Sequence, residues 1–181
     1  MIRGQVVFHY DFDDCTYEDS GLRFPGLKPG GDPACLCGLG EKSIYLDGTN
    51  DFLSLDEQGT LKMDADFTFD FYFQLEDKVG EIDIFSLRNG CNNLDSMMSF
   101  RYFSTTNDLV FEMGSNVNNY FTIKKKLDKS NCWHRFTLTK FALEYRVYFD
   151  NILVMQFLSK ENIKFTRRNS LHFANSPCNN V

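Results

Sequence analysis

The sequence predicts an all-β protein, a two-sheet antiparallel β-sandwich of the jelly-roll kind. Residues 67–75 set the pattern: Phe67, Phe69, Phe71, Phe73 and Leu75 fall on one face, and Thr68, Asp70, Tyr72 and Gln74 on the other. That period of two marks a strand with one buried side. Similar short runs recur between Asn- and Gly-rich turns, and no long segment has the 3.6-residue period of a helix. Nineteen Phe and eight Tyr among 181 residues add the residue types that fit pleated surfaces.

In chain order, residues 5–12 read as an opening strand, with Val6, Phe8, Tyr10 and Phe12 on one face and Val7, His9 and Asp11 on the other. Asp11, Asp13 and Asp14 end it. Residues 16–40 turn to Gly, Pro, Asp and Ser, so a long surface loop is expected. Loops of that length need tying down, a task that suits Cys15, Cys35 and Cys37. Residues 43–46 and 52–55 form two short strands across a turn at 47–50. After the core strand at 67–75, residues 81–87, 96–103, 108–113 and 120–123 supply four more. Residues 133–140 alternate again, with Phe136 and Leu138 set apart from Arg135, Thr137 and Thr139. Residues 145–149 gather Tyr145, Val147 and Phe149 on one face. Asp150 and Asn151 tolerate positive φ, so a two-residue hairpin turn leads into a third strand ending at Phe157. Residues 163–166 and 170–174 are the last strand candidates.

The length fits one domain, residues 1–181, with room for a sizeable core. Nineteen basic against 25 acidic residues give a net charge of −6 without a basic stripe, which argues against nucleic acid as a partner. Lys124, Lys125 and Lys126 form the only dense basic run and read as a solvated strand end. The six cysteines, Cys15, Cys35, Cys37, Cys91, Cys132 and Cys178, lack the paired spacing of zinc knuckles. Their even number predicts at least two disulfides and an oxidising, extracellular setting. Fifteen full pairings are open; Cys15 with Cys35 or Cys37 fits the turn-rich segment between them, and Cys91 with Cys178 would join the ends of two β runs. No apolar run approaches the roughly 20 residues of a membrane span, so membrane insertion is not expected. The first residues lack the apolar core of a secretion signal. An exported chain of this kind is then expected to be a module of a larger protein. No Asn-x-Ser/Thr sequon occurs.

Three segments carry a family resemblance. They are the run from Ser43 through Asp47-Gly48 to Leu53, then Phe67-Thr68-Phe69-Asp70-Phe71-Tyr72-Phe73, and finally Trp133-His134 with the hairpin Tyr145-Arg146-Val147-Tyr148-Phe149-Asp150-Asn151. In that order they resemble the early strand and turn, the next strand, and the closing Trp-His strand and hairpin of laminin-G-like and pentraxin-like domains. The resemblance implies the concanavalin-A-like sandwich of the lectin and glucanase superfamily and leaves the activity open, because one fold hosts many functions. Domains of this type usually finish with a strand like Phe-x-Gly-x-Ile-Asp-Glu-Val. No counterpart precedes Val181: either the sequence is cut short of that strand, or another segment or chain supplies it.

Glu81-Ile82-Asp83-Ile84 resembles the start of the Glu-x-Asp-x-x-Glu motif of endo-β-glucanases with the same sandwich. Retaining hydrolysis needs two carboxyls about 5–5.5 Å apart, and Phe85 and Ser86 stand where the second would be. A hydrolase is therefore the third-ranked reading, and no catalytic residue is assigned. No nucleophile elbow, phosphate-binding glycine loop or His-x-x-x-His pair occurs, and His134 reads as structural. Related folds hold calcium at loop ends, and calcium takes oxygen ligands from such turns; Asp11 and Asp13, and Asp47 and Asp51, are its expected ligands. Sugar binding needs exposed rings beside polar side chains. Tyr72, Tyr102 and Tyr120, with Asn118 on a nearby turn, are the candidates. The expectation is a non-catalytic extracellular module that binds a glycan or a cell-surface ligand. The alternative is a protein-interaction or spacer module without sugar binding, meeting partners through a sheet edge or loops.

Overall fold

The computed structural model describes residues 9–20, 25–55, 65–76, 80–88, 96–128, 132–163, 165 and 170–176. Their strands are β1 (Lys28–Gly30), β2 (Ala34–Cys37), β3 (Lys42–Tyr45), β4 (Phe52–Leu55), β5 (Phe67–Gln74), β6 (Glu81–Arg88), β7 (Met97–Phe103), β8 (Asp108–Asn116), β9 (Asn119–Lys126), β10 (Trp133–Phe141), β11 (Glu144–Phe149), β12 (Ile152–Leu158) and β13 (Ser170–Phe173). Seven form a sheet in the order β1-β4-β13-β6-β7-β8-β9, four form a second in the order β12-β11-β10-β5, and β2 pairs with β3. Every pairing is antiparallel. No helix occurs among the described residues.

The two large sheets meet across a core of aromatic rings. Phe136 on β10 is 1% exposed. Its ring centroid lies 4.7 Å from Phe100, 5.3 Å from Phe111 and 5.6 Å from Phe85, all on the seven-stranded sheet. Phe69 on β5 meets Phe85 edge-on at 5.2 Å. Tilted and edge-on pairs at this spacing suit the ring quadrupole. The apolar face of residues 67–75 thus supplies one wall of the core, and the all-β sandwich is the fold the alternation predicts.

Asp150 and Asn151, at φ 49° and 65°, make the expected tight turn between β11 and β12. Four local expectations differ. Residues 9–12 are not in a strand, although Tyr10 and Phe12 pack against the core; their alternation recorded burial without pairing, and residues 5–8 lie outside the described ones. The expected loop at 16–40 contains β1 and β2. Pro29 is accommodated because β1 is an edge strand, where a missing N–H costs no ladder bond. Residues 43–46 and 52–55 do not pair with each other: β3 joins β2, whereas β4 lies between β1 and β13. Ile163 is buried but outside any strand.

Candidate functional site

Alternation sends Asp70, Tyr72 and Gln74 of β5 to the outward face of the four-stranded sheet. The register sets them opposite Thr137, Arg135 and Trp133 of β10, respectively. Trp133 is therefore diagonal to Tyr72, a separation that aromatic side chains span. Tyr72 is 50% exposed, and the Arg135 guanidinium lies over its ring, 5.4 Å from the centroid. Asp70 grips that guanidinium, accepting from Nε at 2.9 Å and from Nη2 at 2.6 Å. Thr137 Oγ1 donates to the same carboxylate at 2.8 Å, and Arg135 Nη1 donates to Asn151 Oδ1 at 3.0 Å. The hydrogen bond from Arg135 is the main cause that holds the Asp70 carboxyl below its ordinary range, against the effect of burial and with help from Thr137.

The hairpin turn anchors this arrangement from behind. Asp150 Oδ1 accepts the Arg135 backbone N–H at 2.8 Å, and Oδ2 lies 2.8 Å from Nδ1 of buried His134. His134 also stacks on Phe149 with centroids 5.1 Å apart, which gives it a packing role. At the far end of the outward face, Phe141 and Leu158 are 68% and 72% exposed and flank Glu144 across the β10, β11 and β12 pairings.

The other expected ring residues do not join Tyr72. Tyr102 is a correction: at 3% exposure it belongs to the core, and its hydroxyl donates to Asn107 Oδ1 at 2.8 Å, so it offers no stacking surface. Tyr120 is on β9, on the outward side of the seven-stranded sheet, where its hydroxyl bonds to Glu112. Glu112 is a hub there, accepting from Arg88 Nη2 at 2.8 Å and Arg101 Nη2 at 2.6 Å. Burial pushes the Glu112 carboxyl up, but the Tyr120 bond and the two guanidiniums outweigh it and hold the group below its ordinary range. Asn118 is exposed at the β8–β9 turn, where its N–H donates to Asn116 Oδ1 at 2.8 Å and its carbonyl accepts from Lys160 Nζ at 3.3 Å.

On β6, Glu81 pairs with Arg101 Nη1 at 2.7 Å and Asp83 is buried. Phe85, in the position of the glucanase-like second carboxylate, is fully buried in the core.

The carboxylates expected to hold calcium are engaged in hydrogen bonds within their own loops. Asp47 Oδ1 faces the backbone N–H groups of Thr49, Asn50 and Asp51, and the Asp51 carboxylate accepts those of Asp32 at 2.8 Å and Asp47 at 3.0 Å. These oxygens close turns. Asp11 accepts Ser20 Oγ at 2.6 Å and the Asp13 N–H at 3.3 Å. Among the described residues no group of three or more His, Cys, Asp or Glu is arranged to hold a metal. A disulfide joins Cys15 and Cys35. Cys37 and Cys132 are free, exposed thiols, which corrects the expectation of bridges at those two positions. Cys91 and Cys178 lie outside the described residues.

No family profile matches the sequence, and no curated protein matches it. Solved structures do. Domain 4 of AbnA, a GH43 extracellular arabinanase from Geobacillus stearothermophilus, in complex with arabinotriose, superposes with a TM-score of 0.72 at 15% identity, covering 92% of this chain and 82% of that one. The binding domain of botulinum neurotoxin DC matches at 18% identity in two complexes. With rat synaptotagmin II the TM-score is 0.61, and with SialylT it is 0.63; each covers 86% of this chain and 40% of that one. This chain thus spans well under half of those toxin domains. At such identities the likeness shows the fold, a β-sandwich.

The outward alternation of β5 and β10 was readable, but the convergence of Asp70, Asn151 and Tyr72 on Arg135 depends on register and on the turn. Glu112 gave no signal in the sequence, because its partners Arg88, Arg101 and Tyr120 come from three other strands.

Proposed function

We propose that this chain is a non-catalytic recognition module that binds a glycan on the outward face of the four-stranded sheet, at Tyr72. The observation that carries the reading is a half-exposed ring fixed by Arg135, itself held by Asp70 and Asn151. Rings stack on the apolar faces of sugars, and a ring already fixed loses less freedom on binding. The AbnA domain in complex with arabinotriose and the toxin domain in complex with SialylT support the reading by analogy of fold. The Cys15–Cys35 bridge supports an extracellular setting, within a larger secreted or surface protein. The pairing of Glu81 with Arg101 and the burial of Phe85 support a role without hydrolysis.

The test is a glycan array that includes arabinotriose and sialylated oligosaccharides, probed with the purified chain. Retention of a defined sugar supports the reading, and retention of none contradicts it over the sugars tested. A protein partner is the second reading, favoured by the exposed Phe141 and Leu158 at the end of the same face. A Phe141→Ser, Leu158→Ser double variant that loses a protein partner while keeping its sugar profile would support that reading.

A further inference from the structure

The ligand class of the Tyr72 face follows from how the cationic groups are engaged. Among the described residues every arginine is already paired with a carboxylate: Arg88 with Glu112 at 2.8 Å, Arg101 with Glu81 at 2.7 Å and Glu112 at 2.6 Å, Arg135 with Asp70 at 2.6 Å, and Arg146 with Glu144 at 2.6 Å. Lys124 and Lys126 both turn to Asp108. Each of these guanidiniums thus already faces a carboxylate, and at Arg135 the planar fork that makes arginine a good receptor for a sugar carboxylate is occupied, through Nε and Nη2 on Asp70.

Of the five N–H groups of a guanidinium, Arg135 donates Nε and one on Nη2 to Asp70, and one on Nη1 to Asn151. One N–H is left on each terminal nitrogen, which suits single hydroxyl acceptors. A carboxylated sugar brought to Arg135 would also meet the Asp70 carboxylate, and like charges side by side disfavour binding. The net charge of −6 works in the same direction.

We infer that the Tyr72 face selects neutral sugars, stacked on the Tyr72 ring with hydroxyls accepting from Arg135, and discriminates against sialylated or uronic-acid glycans. This rests on the glycan-binding reading. In it Arg135 is a positioning and hydrogen-bonding residue and not an anion receptor, and Asp70 sets the discrimination by neutralising Arg135.

The experiment measures binding of neutral and acidic oligosaccharide pairs that differ by one carboxylated sugar: lactose with sialyllactose, and xylotriose with its glucuronic-acid-branched form. The expected result is binding of a neutral member at least about tenfold tighter than its acidic partner, with affinity unchanged as sodium chloride is raised from about 0.05 to 0.5 M. Asp70→Asn, which removes the carboxylate and frees the Arg135 fork, should narrow or reverse the preference while melting stays cooperative. An acidic member that binds wild-type protein more tightly, or affinity that falls steeply with salt, overturns the neutral-sugar inference and leaves glycan binding standing. Silence on both members of every pair, at concentrations up to about ten times those typical of weak protein–sugar contacts (order 1 mM), overturns the glycan reading itself.

Discussion

The guanidinium of Arg135 lies across the ring of Tyr72 at 5.4 Å, although the two residues are 63 positions apart in sequence (135 − 72). The β5–β10 register sets them directly opposite, and Asp70 fixes the guanidinium from two residues along the same strand. Because this ion pair is about a third exposed on both sides, Asp70→Ala should cost under about 1 kcal/mol of stability. It should nevertheless weaken binding of a neutral sugar, since the ring loses its support. Thermal melting and array retention on the same preparation separate the two effects.

Phe136 touches rings from both sheets and is 1% exposed. Phe136→Ala should cost about 3–5 kcal/mol, the range for emptying a close-packed aromatic site. Urea unfolding at neutral pH measures it, and a loss below about 1.5 kcal/mol would mean the sheets do not meet at this ring.

Stability should fall on the acid side. Glu112 and Asp70 are held below their ordinary values of 4.5 and 3.8, and Asp108, bonded chiefly by Lys124, then by Thr106 and, more weakly, by Lys126, is held below 3.8. Each binds its proton less tightly in the folded chain than in the unfolded one. Their contribution is therefore present above the ordinary carboxylate values and lost as pH falls through and below them. The melting temperature should be level from about pH 6 to 8 with respect to these groups and decline below about pH 4.5. Glu112→Gln should flatten part of that decline and lower stability at pH 7 by about 3 kcal/mol, because Arg88 and Arg101 lose their buried counter-charge.

Thiol chemistry should divide the described cysteines two and two. Cys37 and Cys132 are exposed and free, and Cys15 and Cys35 are bridged across a separation of 20 residues. Maleimide applied to the native, unreduced protein should label the first pair and not the second, read by peptide mass mapping. Cys35→Ser should cost about 3 kcal/mol through the larger loop released in the unfolded chain.

Much of the fold was legible because its signals are local. The alternation of Phe67 to Leu75, the Phe136 and Leu138 face, and the Asp150-Asn151 turn all reappear as β5, β10 and the β11–β12 hairpin. What the sequence obscured is non-local. The Asp47–Asp51 turn looks like a hairpin, yet Asp51 uses its carboxylate to hold Asp32, and the chain passes from one sheet to another. Tyr102 and Tyr72 look alike in sequence, each on an alternating run. Only the pairing of sheets shows that one points into the core and the other to solvent. The acidic turns hide a similar detail: Asp47 and Asp51 accept backbone N–H groups of their own loop, which composition alone does not show.

Assignment of Tyr72 as the sugar-stacking ring stands or falls on one comparison: wild-type protein and Tyr72→Ala probed in parallel on the same glycan array, with melting temperatures recorded for both. At least one oligosaccharide should be retained by the wild type and weakened about tenfold or more in the variant, a change in keeping with loss of one ring stack, at an unchanged melting temperature. Undiminished retention by Tyr72→Ala, or no retention by the wild type, would contradict it.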